Sequence, residues 1–352
     1  MPNKPLPTAD LREILQQTQS LMTDLRNTRL FLTGGTGFFG HWMLESLLFA
    51  NRELDLQLGI SVLTRDPERF RSNSPHLADD AAVALLAGDI RSFPFPSELH
   101  THVVHAATDS GGQQAQRPAY ELAESILGGT RRTLEFALKT GARRFLYTST
   151  GAVYGRSSAT ETHVAETSRA APDPLLLQSS YDEAKRMSEH LCVAYTEGTS
   201  LEVVVARPFA FVGPHLPLDQ HFAIGNFIGA AIADEPIRIK GDGTPLRSWM
   251  YMADLAVWMW TLLLRGERNR AYNVGSEAAI SIADAARVTA ETLRPGLAVE
   301  IVGVRKKDAP MNAYVPSTER ARRELGLRET VDLPEALRRT AAWHGYQAPA
   351  PA

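Results

Sequence analysis

A doubly wound α/β sheet joined to a second, smaller α/β lobe is the fold class this 352-residue sequence predicts. Three observations predict it. Short apolar, largely β-branched runs alternate with helical patterns through the first part of the chain. One of them, Leu30-Phe31-Leu32-Thr33, runs straight into glycines at three-residue spacing, Gly34, Gly37 and Gly40. From Phe209 onward, prolines at 214, 217, 236, 245, 295, 310 and 316 punctuate shorter elements. Continuous apolar strands alternating with helices indicate a parallel sheet covered on both faces. Ligands of such sheets bind beyond the carboxyl ends of the strands.

Taken in order, residues 9–25 space Leu11, Ile14, Leu15, Leu21, Met22 and Leu25 along one helical face. Residues 1–27 are therefore expected to form a helical appendage packed on the first lobe, not a signal peptide. The glycine turn should open a helix over 41–50. Strands are expected at 58–64, 82–87, 102–107, 144–148 and 201–206, with helices at 119–140 and 180–196. Residues 28–208 make a dinucleotide-binding domain on this reading. Residues 209–345 make a smaller substrate-binding lobe interleaved with it, and 346–352 a frayed tail.

The order strand, glycine turn, helix turns a weak motif into a dinucleotide-phosphate site. Gly34 permits the tight turn and Gly37 lets a pyrophosphate approach the backbone. Gly40 lets helix and strand pack closely, and the helix N-terminus faces the negative charge. Thr36, Phe38 and Phe39 belong to the same turn and are expected at the cofactor.

Composition narrows the partners. Hydrophobic residues make up 44% and charged residues 22%, with a net charge of -3, which gives no electrostatic reason to expect nucleic acid or an anionic membrane. No apolar stretch reaches the length of a membrane span. Cys192 is the single cysteine, so no internal disulfide forms, and a reducing, cytoplasmic compartment is expected. Its apolar neighbours suit a buried structural thiol. His100, His102, His105, His190, His215 and His221 show no metal-ligand spacing, and no metal is expected.

Tyr181 and Lys185 stand four apart in a helical segment, which puts phenol and ammonium on one face, one turn apart. A phenol with an ordinary pKa of ~10 is a poor acid or base at neutral pH, but a nearby cation favours its phenolate. A hydroxyl cluster, Thr148-Ser149-Thr150, follows the strand at 144–148. One of these hydroxyls could hold a reacting sugar oxygen while Tyr181 moves its proton.

With these residues the sequence resembles the extended short-chain dehydrogenase/reductase family, in its NAD-dependent nucleotide-sugar epimerase/dehydratase branch, whose sheet is Rossmann-like. The motifs occur in family order from Leu30 to about Trp343. They are Gly34 to Gly40, Gly88-Asp89-Ile90, His105-Ala106-Ala107, Thr150 to Gly155, Tyr181 with Lys185, Arg207-Pro208-Phe209 with Val212-Gly213-Pro214, Gly241-Asp242-Gly243, Arg247-Ser248 with Asp254-Leu255, and Tyr272-Asn273-Val274-Gly275. The resemblance implies that Thr150 is the catalytic hydroxyl, with Ser149 as the alternative and a second substrate contact. It implies that Tyr181 is the general acid/base and Lys185 its activator and ribose ligand. Asp89 and Ile90 would meet the adenine. Ala106, Ala107, Thr108, Thr148 and Pro208 would line the cofactor. Arg247 would clamp the substrate's diphosphate, and Asn226 would join it from the loop of His215 and His221. The helices at 119–140 and 180–196 resemble those that pair across the family's homodimer.

Departures from the pattern narrow the reaction. Dehydratases of the family place an Asp-Glu pair after the catalytic threonine, and decarboxylases a glutamate, where this chain has Gly151 and Ala152. Neither can transfer a proton, so elimination and decarboxylation are disfavoured. The resemblance then implies hydride transfer on a nucleoside-diphosphate sugar, foremost epimerisation through a transient 4-keto sugar, with NADPH-dependent 4-ketoreduction as the alternative. A catalytically idle NAD(P)-binding regulator is a further one. Polysaccharide biosynthesis is the family's common destination. Ile126 and Ala210 stand where many members have asparagine. The cofactor is left open between NAD and NADP. Where NAD-specific members end the second strand with an acid, this chain reads Thr64-Arg65-Asp66: Arg65 suits a 2′-phosphate, while Asp66 turned inward would restore NAD.

Overall fold

The computed structural model describes residues 3–108, 118–155, 162–220, 222–305 and 311–347. His221 and most of the tail expected over 346–352 lie outside them.

The alternation of apolar runs and helices produces six strands in the first part of the chain: β1 Arg29–Thr33, β2 Gly59–Thr64, β3 Val83–Ala87, β4 His102–His105, β5 Arg144–Thr148 and β6 Glu202–Pro208. The helices among and before them are α1 Thr8–Met22, α2 Phe38–Glu53, α3 Pro67–Asn73, α4 Pro75–Ala78, α5 Ala119–Thr140 and α6 Ser180–Ala194. Across the sheet the strands run β3, β2, β1, β4, β5, β6, and Arg270–Val274 adds a seventh beside β6. The pairings from β3 through to β6 are parallel. This is the doubly wound, Rossmann-like architecture that the sequence predicts. The order reverses between β1 and β4, the switch point at which such sheets bind ligands.

Both faces are covered, as the uninterrupted apolar runs require. Phe31, Val103, Phe145, Tyr147, Val203 and Val205 share one cluster with Leu134, Phe136 and Ala137 of α5 and with Cys192 of α6. The alternate residues Leu30, Leu32, Val104, Leu146 and Val204 are equally buried. Only β3, at the sheet's edge, mixes half-buried and exposed positions. The free thiol of Cys192 is buried. α5 ends on Gly141, whose φ of 72° is the left-handed cap that closes a helix at least steric cost.

By compactness the chain divides into two units. Met1–Val153, Asp173–Arg207 and Ala256–Tyr272 form the first, and Tyr154–Pro172, Pro208–Leu255 and Asn273–Ala352 the second. In the first unit α1 is tied down by hydrogen bonds on either side of it. The Leu6 amide donates to Glu45 of α2, and Arg265 pairs with Asp24 at 2.6 Å. In the second, two motif residues act as structural hubs. Asn273 accepts from the Tyr154 hydroxyl (2.7 Å) and donates to the carbonyls of Val164 and Ser317. Asp254 accepts from the amides of Thr330 and Val331 and from the Thr330 hydroxyl. No described helix is long and apolar enough to cross a membrane.

Candidate active site

The turn after β1 is shaped by what it excludes. Gly34 has φ 76°, and a Cβ there would stand 2.6 Å from the backbone of Ala106 and Ala107. The turn therefore presses on the end of β4, where the Ala107 amide donates to Thr33 Oγ1 at 3.1 Å. A Cβ on Gly40 would lie 2.1 Å from the Gly34 carbonyl oxygen. Gly40 thus lets α2 close on the turn itself; its expected partner was the strand. Gly37 differs from both. A Cβ there would meet only that same oxygen, at 3.5 Å, and Thr36 and Gly37 are exposed. Gly37 caps α2 with extended backbone and no side-chain bond, leaving the helix's first amides to an anion. Phe38 and Phe39 follow, half-buried.

Two buried hydroxyls along the carboxyl edge, Thr108 Oγ1 and Thr148 Oγ1, have no hydrogen-bond partner among the described residues. Open space over Gly37, the N-terminus of α2 and unmatched hydroxyls are what a dinucleotide would complete, so the residues present fit the cofactor. His105, by contrast, is enclosed between Thr33 Oγ1 (2.8 Å) and Thr130 Oγ1 (3.2 Å). Burial pulls its pKa down to about 3, leaving a neutral packing residue. Gly129 lets α5 meet Ile90, whose Cγ1 would be 2.9 Å from a Cβ there.

At the end of β2 the Asp66 carboxylate accepts from the Arg69 amide and caps α3, with Pro67 at the helix's first position. The Asp89 carboxylate is gripped by Arg91 through Nε (2.8 Å), Nη2 (3.1 Å) and the backbone amide. The Arg91 hydrogen bond, with the Arg65 charge as a smaller influence, holds its pKa below the usual carboxylate range.

Past β5 the site is made of side chains. Lys185 is 2% exposed and its Nζ donates to the Thr148 carbonyl at 2.8 Å. Nζ lies 6.0 Å from the centre of the Tyr181 ring and 5.1 Å from that of Tyr147. Burial pushes the ammonium down to about 7, against the opposing charge of Glu189. Tyr181 packs on Leu122, Ile126 and Ala184, so the isoleucine in the usual asparagine position is an apolar wall behind the phenol. Thr150 is buried and its Oγ1 accepts from the Ala152 amide at 3.2 Å. Ser149 donates its proton to Glu189 Oε1 at 2.5 Å, which leaves Thr150 as the better candidate for a reacting oxygen. Glu189 is the residue the motifs did not mark. Its signal is a third polar position on the stripe of Tyr181 and Lys185, four residues further on.

In the second unit Arg247 is half-buried. Its Nη1 donates to the Leu246 carbonyl (2.7 Å) and to Asn312 Oδ1 (3.2 Å), and its guanidinium lies 6.0 Å from the Tyr314 ring centre. Pro208 is buried at the end of β6, and Asn226 is exposed in the helix Ala223–Ala233. His215 packs its ring on Trp343 at 4.6 Å.

A profile of the NAD dependent epimerase/dehydratase family matches residues 30–275. The chain belongs to that family. Its resemblance in motifs to the extended short-chain dehydrogenase/reductases is thereby accounted for. UDP-glucuronic acid decarboxylase 1 of Arabidopsis thaliana is 27% identical over 89% of this chain and 69% of the relative. The dTDP-glucose 4,6-dehydratase of Streptomyces griseus is 27% identical over 90% and 94%. Among solved structures, UDP-glucose 4-epimerase from Thermotoga maritima superposes with a TM-score of 0.72 at 20% identity, covering 90% of this chain and 98% of that one. UDP-N-acetylglucosamine 4-epimerase from Methanobrevibacter ruminantium does so at 0.76 and 18%, covering 91% and 98%. The relatives thus include epimerases, a dehydratase and decarboxylases of sugar nucleotides within an NAD dependent family, and this member shares their fold.

Proposed function

We propose that the protein transfers hydride between a nucleoside-diphosphate sugar and a nicotinamide cofactor, the net reaction being epimerisation through a transient 4-keto sugar. The observation that carries this reading is the end of β5, where the buried Lys185 ammonium stands beside Tyr181 and Thr150 is followed by Gly151 and Ala152. The cofactor supplies the hydride acceptor and donor. The Gly34–Gly40 turn would hold its diphosphate, Thr108, Thr148 and Lys185 its nicotinamide side, and Asp89 with Ile90 its adenine. Thr150 holds the reacting sugar hydroxyl. Tyr181 takes the proton from that oxygen and returns it, and the neighbouring cation favours the phenolate this needs. Gly151 and Ala152 offer no group to expel water or carbon dioxide. Arg247, braced by Asn312, presents a guanidinium to the substrate's diphosphate, and Asn226 adds a contact. A homodimer through α5 and α6 accounts for Tyr120, Met187 and Val193 being 65%, 47% and 43% exposed.

One observation favours 4-ketoreduction with NADPH as a second reading. The carboxylates of Asp66 and Asp89 are taken by a helix cap and by Arg91, while Arg65 adds positive charge near Asp89. That suits a 2′-phosphate better than a pair of ribose hydroxyls. Incubation with UDP-, dTDP- and GDP-hexoses, and with NDP-4-keto-6-deoxyhexoses, and either cofactor decides between the two. Epimerisation gives a product of unchanged mass with no net change in nicotinamide absorbance. Reduction consumes NADPH in proportion to product, and loss of water or carbon dioxide overturns both readings.

A further inference from the structure

α6 carries Tyr181, Lys185 and Glu189 at four-residue spacing, on one stripe of the helix. The first two serve the proposed chemistry. Glu189 is braced on two sides. Arg207, at the end of β6, donates Nε to Oε1 at 2.9 Å and Nη2 to Oε2 at 2.6 Å, and these two side chains are 15% and 12% exposed. Ser149 donates to Oε1 from the other side at 2.5 Å. Two consecutive residues at the end of β5 are thus clamped to α6: Lys185 takes the Thr148 carbonyl and Glu189 the Ser149 hydroxyl. Thr150 comes next.

The groups that face Lys185 come from three strands and its own helix. They are His105 of β4, Tyr147 of β5, Tyr181, Glu189 and Cys192 of α6, and Arg207 of β6 behind Glu189. Burial keeps His105, Tyr147 and Cys192 neutral at neutral pH. Apart from the Tyr181 phenol, Glu189 is the one group in this set that can supply negative charge to the lysine.

We propose that Glu189 is a positioning residue for the reaction: through Ser149 it fixes where Thr150 stands, and through its charge it keeps Lys185 an ammonium in a dry site. The kinetic part of this proposal rests on the hydride-transfer reading. The lysine part does not, so the two can fail separately.

The first measurement follows Lys185 in lysine-labelled apoprotein by 13C NMR, with Lys185→Arg assigning the resonance. The wild-type midpoint is expected at about 7. Glu189→Gln should lower it by roughly one unit. Arg207→Gln, which leaves the carboxylate without its countercharge, should raise it. A passive strut between α6 and β6 would not give opposite signs for the two ends of one ion pair. The second measurement is kinetic. Glu189→Gln should lose roughly tenfold to a hundredfold in kcat, with KM for the sugar nucleotide within about twofold, the signature of an interaction realised at the transition state. Ser149→Ala, which cuts the clamp but leaves the ion pair, should lose kcat with the lysine midpoint unmoved. An unchanged midpoint in Glu189→Gln overturns the electrostatic role. Unchanged kcat in Ser149→Ala overturns the positional one, even if the glutamate variants fail to fold.

Discussion

The turn that follows β1 and the segment that follows β5 lie at carboxyl ends of strands in one sheet, yet they are built from opposite materials. The first is backbone. Gly34 and Gly40 are fixed by the atoms a side chain would strike, Gly37 faces open space, and α2 offers its N-terminus. The second is side chain. Lys185 is desolvated beside Tyr181, and Ser149 and Arg207 are pinned by one glutamate. A backbone site tolerates no added atoms but carries no charge that must be kept dry. A side-chain site can move protons, and it holds a buried charge that works against folding.

The largest effect expected from this contrast is chemical. Tyr181→Phe removes the proton-moving oxygen and should cut kcat about a thousandfold, roughly 4 kcal/mol in barrier. Because the β1 turn is untouched, cofactor affinity by calorimetry should stay within about twofold. A large loss of affinity would mean that the two ends of the sheet are not separable.

Next comes the reverse experiment. Gly40→Ala forces a methyl to within 2.1 Å of the Gly34 carbonyl oxygen, so α2 must lift from the turn. A loss of about 3 kcal/mol by denaturant unfolding is expected, together with loss of cofactor binding. Gly37→Ala sharpens the test, since its Cβ meets nothing nearer than 3.5 Å. It should leave stability within about 0.5 kcal/mol while lowering cofactor affinity. If both alanines destabilise equally, the distinction between packing glycine and ligand glycine is wrong.

Lys185→Met tests the charge past β5. The folded pKa of about 7 lies below the ordinary lysine value of 10.5. The fold therefore has its full stability above about 10.5 and loses part of it as pH falls through 7. Removing the ammonium relieves that loss, offset by the stranded Thr148 carbonyl. A gain of about 2 kcal/mol at pH 7, shrinking toward pH 10, is expected. Turnover should collapse in the same variant. Equal stabilities at pH 7 would show that the ammonium is better solvated than its burial suggests.

This division also explains what could be read from the sequence. Residues 144–148 and 119–140 were legible as a strand and a helix because apolar period and length both mark them, and they coincide with β5 and α5. The expected strand at 102–107 ends at His105. Ala106 and Ala107 leave the sheet to press on the glycine turn, a contact between distant segments that periodicity does not encode. The helix expected at 41–50 begins at Phe38, since Gly37 itself serves as its cap. Asp66-Pro67 carries a local cap signature, and the Asp66 side chain caps α3. The glycine motif was legible because exclusion by neighbouring backbone shows up as a residue type. Glu189 was not, because its partners Ser149 and Arg207 are assembled from β5 and β6, and nothing in a glutamate's own neighbourhood announces that.

The smallest predicted effect asks whether the backbone-built end is as free of buried charge as the contrast claims. α2 does carry one carboxylate, Glu45, which is 5% exposed. It accepts from the Leu6 amide at 2.9 Å and lies 3.5 Å from His76 Nε2, an imidazole whose pKa burial lowers, so the Leu6 amide and the charge of Arg52 offset its burial only in part. Burial raises Glu45 to about 7, against an ordinary value of 4.5. For a group raised in the fold, the stability it contributes is complete below about 4.5 and is lost as pH rises through 7, the mirror image of Lys185. Glu45→Gln keeps an acceptor for Leu6 without the charge. It should gain about 1 kcal/mol at pH 8 and nothing at pH 4, by unfolding at the two pH values, with cofactor affinity unchanged. If affinity at the glycine turn follows the charge at Glu45, then α2 transmits what happens along its length to its N-terminus, and the β1 site is not made of backbone alone.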